Sequence, residues 1–100
     1  MSKISKACDI SPRVRKEVME RDEGRCIICG SMRGIQIAHF IPRSRLGLGI
    51  PQNLGAMCLV CHFEYDNGNF HKEYGNIFRE HLKRHYEDWN DKKLTYRKWG

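Results

Sequence analysis

The sequence has no long apolar run and few acidic side chains relative to its basic ones. No stretch approaches the roughly 18 apolar residues that a membrane-spanning helix needs, which excludes a transmembrane protein and argues against a membrane partner. No apolar segment follows the N-terminus, so no signal peptide is visible and a cytoplasmic location is expected. The 100 residues contain no repeat or low-complexity tract, and a single domain over residues 1–100 is predicted.

The charge balance favours a polyanionic partner. Lysine and arginine number 18 against 12 aspartates and glutamates, which gives a formal net charge of +6. A basic domain is attracted to nucleic acid, although many basic surfaces bind nothing acidic. Only 40% of the residues are hydrophobic and 30% are charged. A core this modest would gain from an additional staple.

Local patterns predict an α+β fold. Ser11-Pro12 is typical of a helix N-cap followed by proline, and a helix is predicted over 12–22. Alternating isoleucines predict a strand over 34–41, a second strand is expected over 54–57, and a helix then ends at Asn67-Gly68. A longer amphipathic helix is predicted over 75–90. Residues 1–10 are expected to be a flexible arm, in which Cys8 is a free thiol without an assigned role.

Four of the five cysteines form two Cys-x-x-Cys pairs, Cys26/Cys29 and Cys58/Cys61. Two intervening residues let one tight turn aim both sulfurs at one point, and two such turns complete the tetrahedron that zinc accepts. In a reducing compartment paired cysteines indicate metal more often than disulfides. Two disulfides or four unrelated thiols are the alternative. We predict a structural zinc ion.

Between and just after these pairs lie three further polar residues, in the segments Ile37-Ala38-His39-Phe40-Ile41-Pro42, Gln52-Asn53-Leu54 and Cys61-His62. In this order and spacing, residues 20–68 resemble the HNH endonucleases, in the small stand-alone form common in phages. The resemblance implies a small ββα-metal core with a four-cysteine zinc knot, flanked by N- and C-terminal helices. It also implies metal-dependent hydrolysis of DNA phosphodiester bonds, by nicking or by double-strand cleavage.

The resemblance assigns roles to the matching residues. His39 corresponds to the general base, for which an ordinary pKa near 6.5 is suitable, and Asn53 to the residue that holds the loop and orients the histidine or its surroundings. His62 corresponds to a ligand of the catalytic cation, expected to be Mg²⁺ or Mn²⁺. Many family members carry a metal-binding aspartate or histidine directly before the strand histidine, where this sequence has Ala38. Either the cation has fewer protein ligands here or another residue substitutes, and the best candidate substitute is Asp66, one helical turn after His62.

Arg43 and Arg45 lie in the loop after His39 and are predicted to bind DNA through phosphate oxygens. Nothing in the sequence is typical of a base-reading helix, so weak sequence preference is expected. The other histidines, His71, His81 and His85, are interpreted as structural or surface residues.

The resemblance implies DNA as the substrate and a role in phage DNA processing in the host cytoplasm. Phage packaging or recombination proteins and a second copy of the chain are the candidate partners. Two alternatives stay open. One is a non-catalytic zinc-knuckle module that binds DNA or protein, which Ala38 favours. The other is a purely structural zinc domain whose basic charge is incidental.

Overall fold

The computed structural model describes residues 3–96, which form a small α+β fold around a two-stranded sheet. The predicted fold class is confirmed. Its helices and strands, in chain order, are α1 (Lys3–Cys8), α2 (Pro12–Arg21), β1 (Ile35–His39), β2 (Leu54–Cys58), α3 (Leu59–Asn67) and α4 (His71–His85). Within this range no helix is both long enough and apolar enough to cross a membrane.

The two strands form an antiparallel hairpin in which Ile35 pairs with Cys58 and His39 pairs with Leu54. Side chains alternate between the two faces of a strand, so neighbouring residues of β1 point in opposite directions. Ala38 and the residue before it are nevertheless both buried. The hairpin is therefore covered on both faces.

Helix α2 covers one face of the hairpin. The Oγ atom of Ser11 accepts a backbone N–H of the first turn at 3.1 Å, and Pro12 occupies the first position, where no N–H is needed. Val18 is fully buried and clusters with Ile37 of β1. The helix predicted over 12–22 is confirmed.

Helices α3 and α4 cover the opposite face. Tyr65 of α3 and Phe78 and Leu82 of α4 form a buried cluster with Ala38 and Met57 of the hairpin. Each large aromatic ring removes about 150–250 Å² of surface from water when it is buried. This cluster is therefore the main apolar contact that holds the two helices against the sheet.

The C-terminal helix lies earlier in the chain than the prediction of 75–90. It begins at His71 and ends at His85, because the backbone becomes extended at Tyr86 (φ −131°, ψ 109°). The chain then turns so that the Nε1 atom of Trp89 donates to the carbonyl of Gln52 at 2.7 Å. The spacing of Tyr86 and Trp89 in the sequence predicts that the helix continues through them, but both residues follow its end and are partly buried by other contacts.

The N-terminal segment differs from the expected flexible arm over 1–10. Residues 3–8 form α1, the Cys8 side chain is only 2% exposed, and the carbonyl of Ala7 accepts the N–H of Gly49 at 3.0 Å. A Cβ atom at Gly49 would lie about 2 Å from the Asp9 carbonyl oxygen, so only glycine permits this approach. The loop after β1 thus fixes the segment. Residues 1–2 and 97–100 lie outside the described part.

Candidate functional site

The four paired cysteines meet at one point beside the hairpin. Their sulfur atoms all lie within 4.8 Å of one another. The Sγ atoms of Cys29 and Cys58 are 3.7 Å apart, and two thiolates on a tetrahedral zinc ion, with bonds of about 2.3 Å, would be about 3.8 Å apart. A disulfide needs a sulfur separation of about 2.05 Å. The cluster of Cys26, Cys29, Cys58 and Cys61 could therefore bind a structural zinc ion.

Backbone N–H groups already point at these sulfurs. Ile28 donates to Cys26 Sγ and Cys61 donates to Cys58 Sγ, each at 3.4 Å. Burial raises the pKa of the Cys26 thiol, but backbone donors outweigh that effect and hold the pKa at about 7. Burial and the neighbouring sulfurs raise the pKa of Cys61. The thiols oppose one another's ionisation, and a bound cation would remove that penalty.

His39 ends β1 with one ring nitrogen held by the N-terminal segment. Its Nε2 atom lies 3.0 Å from the carbonyl oxygen of Cys8. A carbonyl oxygen can only accept, so Nε2 carries the proton and Nδ1 keeps a lone pair when the ring is neutral. The tautomer is thus set by α1, the segment for which the sequence predicts no role.

The surroundings of His39 favour its neutral form. Burial lowers its pKa below the usual value, and the charges of Arg43 and His62 lower it further, against smaller opposing effects of the Cys8 carbonyl and Asp66. At pH 7 the imidazole is therefore neutral, the form that can accept a proton. The effects of His62 and Asp66 also show that α3 lies within electrostatic reach of His39.

Asn53 is fully buried and closes the loop that follows β1. Its Oδ1 atom accepts the N–H of Ile41 at 2.8 Å, and its Nδ2 atom donates to the carbonyls of Ile41 at 3.1 Å and Leu48 at 2.8 Å. The carbonyl of Asn53 also accepts the N–H of Phe40 at 2.7 Å. Asn53 makes no hydrogen bond to the imidazole of His39 among the described residues; it holds the backbone immediately after His39.

His62 and Asp66 face each other on successive turns of α3. The Nε2 atom of His62 lies 3.1 Å from Oδ2 of Asp66, and its Nδ1 atom lies 2.7 Å from Oε1 of Gln36 on β1. Two cis ligands on an octahedral cation with bonds of about 2.1 Å are about 3 Å apart. Donation of the Nδ1 proton to Gln36 leaves Nε2 free for a cation, the usual arrangement for a metal-binding histidine. The donor set therefore fits a divalent cation.

Ala38 lies on the same strand face as Gln36, because the two residues are separated by one position. Its side chain is fully buried beneath α3 and α4. Alanine offers no ligand, so this strand position contributes nothing to cation binding. The polar group that β1 does supply to His62 comes from Gln36.

The two loop arginines have different surroundings. Arg43 pairs with Asp9, with both side chains about half exposed. Arg45 is exposed and lines a cleft bounded on its other side by α4. The carboxylate of Asp9 offsets the charge of Arg43, so Arg45 is the more available of the two for a phosphate group.

Gln36 is absent from the set of site residues predicted from the sequence. The signal that could have identified it is a polar residue on the same strand face as Ala38, three residues before the histidine. The Cys8 carbonyl was also missed, and no side-chain pattern could have indicated it, because a backbone carbonyl is present at every residue.

A second polar cluster, around the buried carboxylate of Asp22, joins α2 and α4 to the backbone of β2. It accepts two hydrogen bonds from Arg21, at 2.8 and 2.9 Å, one from the Ala56 N–H at 2.9 Å and one from His81 Nε2 at 2.7 Å. Asp22, His81 and His85 could in principle hold a metal ion. The Arg21 guanidinium occupies both carboxylate oxygens, so the cluster acts as a structural ion-pair network. The interpretation of His81 as structural agrees with this contact.

No family model and no curated protein matches the sequence. Among solved structures, the fold is similar to part of the "Type IV phosphorothioation-dependent restriction endonuclease ScoMcrA", with a TM-score of 0.65 and 21% sequence identity. The similarity covers 79% of this chain and 20% of that one, so the chain spans about a fifth of the length of the protein that it resembles. At this identity, the likeness shows the fold.

Proposed function

We propose that this protein is an HNH-type endonuclease that hydrolyses DNA phosphodiester bonds with a divalent cation. The observation that carries the proposal is the state of His39. One ring nitrogen is tied to the Cys8 carbonyl and the other keeps its lone pair, in a neutral ring within electrostatic reach of the His62–Asp66 pair. Hydrolysis near neutral pH needs such a base on one side of the phosphate and a cation on the other.

His39 would take the proton of the attacking water at Nδ1, while its Nε2–H bond to Cys8 holds the ring. His62 Nε2 and Asp66 Oδ2 would hold Mg²⁺ or Mn²⁺, with Gln36 orienting His62. Such a cation, when bound, polarises the scissile phosphate and stabilises the leaving oxygen. Asn53 is a positioning residue, because it acts on the backbone beside His39.

Three further observations support the proposal. A solved structure with a similar fold is a restriction endonuclease, and only its endonuclease chemistry enters the proposal, since this chain corresponds to about a fifth of that protein. The net charge of +6 suits a phosphate backbone. A zinc ion bound by the four cysteines would fix α3 against the hairpin. The resemblance extends the proposal to phage DNA processing in the host cytoplasm.

The test is conversion of supercoiled plasmid to open-circle or linear DNA in Mg²⁺, Mn²⁺ and Zn²⁺. His39→Ala is expected to lower the cleavage rate by about 10²–10⁴-fold, the usual contribution of a general base. His62→Ala and Asp66→Ala are expected to raise the cation concentration needed for half-maximal rate. His85→Ala, an exposed histidine on α4, is the matched control and should cleave normally. A folded His39→Ala protein with full activity would refute the assignment.

The alternative function, a non-catalytic zinc-knuckle module, is favoured by Ala38, which leaves the strand without its usual ligand. That function predicts DNA binding by the wild-type protein without cleavage in any of the three cations. The same assay therefore separates the two functions when a gel-shift measurement at low salt accompanies it.

A further inference from the structure

A cleft of about 700 Å³ lies between the segment that follows β1 and the N-terminal half of α4. One wall begins at Phe40, the residue directly after His39, and continues through Pro42. The other wall is formed by Lys72, Gly75 and Arg79 of α4. The cleft therefore opens beside the proposed catalytic centre. Its lining includes neither the four cysteines nor the His62–Asp66 pair.

The rim of the cleft is positively charged. Arg45 and Lys72 lie on opposite walls, and within the described part of the chain no recorded hydrogen bond or ion pair uses either side chain. Arg79 is already ordered: it pairs with Asp91 at 3.2 Å and lies over the ring of Phe40 at 5.3 Å. Arg45 and Lys72 are thus available to phosphate groups, while Arg79 helps to hold the wall.

Aromatic rings lie beneath these charges. His71 stacks on Tyr65, with ring centroids 4.8 Å apart and an interplanar angle of 16°. Its Nδ1 atom donates to the carbonyl of Tyr65 at 2.8 Å, which fixes the exposed imidazole ring. Cationic groups combined with ordered aromatic rings are the usual elements of sites that bind single-stranded nucleic acid, because the charges take the phosphates and the rings stack on the bases.

Gly75 provides the strongest indication that the cleft is kept open. It lies in the interior of α4, where glycine destabilises a helix relative to alanine, and its φ angle is not in the positive region that would require glycine. A Cβ atom at this position would make an ordinary contact, 3.5 Å from Cε1 of Tyr65. Folding therefore does not demand glycine here, whereas a side chain would take space from the cleft.

From these features we infer that the cleft holds unpaired nucleotides of the DNA next to the scissile phosphate. Phosphates contact Arg45 and Lys72, and a base stacks on the face of the exposed His71 ring that Tyr65 leaves uncovered. The volume suits about one or two nucleotides and lies within the usual range of small-ligand pockets, whereas a double helix, with a major groove alone about 12 Å wide, cannot enter. The substrate class is therefore DNA with unpaired nucleotides at the cut, in a gap, a flap, a bubble or a locally opened region of a supercoiled plasmid. This inference rests on the proposed nuclease function.

The experiment measures fluorescence anisotropy of a labelled oligothymidine of about 12 nucleotides and of a duplex of equal length, with the zinc-loaded protein and no added divalent cation. Gly75→Leu fills the cleft and should weaken single-strand binding by about tenfold or more, the value of one lost base stack. Gly75→Ala should weaken it less while raising the melting temperature by about 3–8 °C. Lys72→Ala should weaken binding about threefold. The control Lys83→Ala, on the same helix but outside the cleft, should change it less than about twofold.

Equal single-strand affinity of Gly75→Leu and wild type would overturn the inference, as would tighter wild-type binding to duplex than to single strand. If Gly75→Leu cleaves plasmid as fast as the wild type, the cleft has no part in the reaction, and the nuclease function stands without it. If the wild-type protein binds single strands through the cleft but cleaves no DNA, the nuclease function is refuted and the binding site stands. The two failures are therefore distinguishable.

Discussion

Asp22→Asn is expected to be among the most destabilising conservative substitutions in the chain. The carboxylate has no solvent exposure, and its two oxygens accept four hydrogen bonds from α2, β2 and α4. An amide of the same shape would direct its NH₂ group at one of these donors and leave the Arg21 guanidinium, only 9% exposed, without a counter-charge. Removing one partner of a buried ion pair typically costs about 3–5 kcal/mol, against a net stability of about 5–15 kcal/mol for a domain.

The measurement is urea unfolding of the zinc-loaded protein at pH 7, compared through transition midpoints. The matched control is Asp91→Asn, which removes the same charge from the half-exposed pair with Arg79 and should cost less than about 1 kcal/mol. The hydrogen bonds of Asp22 hold its pKa well below the usual range against the opposing effect of burial. Its stabilisation is therefore complete above the unfolded pKa of about 3.9 and is lost as the pH falls toward the folded value.

The stability difference between wild type and Asp22→Asn should accordingly stay constant from pH 7 to about pH 5 and shrink below about pH 4. Loss of zinc at low pH affects both proteins alike, so the difference is the informative quantity. If Asp22→Asn costs no more than Asp91→Asn, the network does not join α2 and α4 to the hairpin as the contacts indicate.

Three further outcomes are expected. The nicking rate should rise with pH and level off by about pH 7, because burial lowers the pKa of His39 and only the neutral ring accepts a proton. Arg43→Gln removes a charge that lowers this pKa, so it should move the midpoint of the pH profile to higher pH. An unmoved midpoint would exclude His39 as the titrating group. Zinc chelation should abolish the helical circular-dichroism signal until zinc is restored, because structural zinc contributes about 10–16 kcal/mol of apparent folding free energy. An unchanged spectrum would show that the fold does not depend on a zinc ion bound by the cysteines. Asn53→Ala removes three buried hydrogen bonds and should lower the free energy of unfolding by about 2–4 kcal/mol. Its kcat should fall by a larger factor than its KM changes. Leu48→Ala is the control, because it keeps the backbone carbonyl that Asn53 contacts.

The parts of the fold that could be predicted from the sequence are those that local chemistry specifies. The spacing of the cysteine pairs and the Ser11-Pro12 cap each depend on residues within one turn, and both predictions agree with the structure. The i, i+4 contact of His62 with Asp66 follows equally from helix geometry. None of these needed knowledge of which elements pack together.

The remaining features depend on contacts distant in sequence. The bond from His39 to the Cys8 carbonyl spans 31 positions and uses a backbone atom that any residue would supply. The apolar spacing of Tyr86 and Trp89 indicated a longer α4, but tertiary contacts, such as the bond from Trp89 to the Gln52 carbonyl, override it. Periodicity records that a residue is buried, and it does not record which neighbour buries it.

Ala38→Asp tests whether the cation pair on α3 has the geometry proposed here. Position 38 is fully buried, and an unpaired carboxylate there should cost several kcal/mol without a cation. If the His62–Asp66 pair binds a cation, the introduced carboxylate can share it, since the face of β1 that carries residue 38 also supplies Gln36 to His62. At a Mn²⁺ concentration one hundred times its own dissociation constant, the variant should gain about 2.7 kcal/mol. The wild type binds with one ligand fewer and should gain less at the same Mn²⁺ concentration.

Ala56→Asp is the matched control, because Ala56 is equally buried but pairs with Ile37 and so faces α2 on the other side of the hairpin. Both variants should lose stability in the absence of a divalent cation, and Ala38→Asp should regain more of it than Ala56→Asp when Mn²⁺ is added, as read from melting temperatures of the zinc-loaded proteins. Equal gains would mean that the carboxylate at position 38 does not reach the cation, and no gain in either variant would mean that the His62–Asp66 pair binds no Mn²⁺.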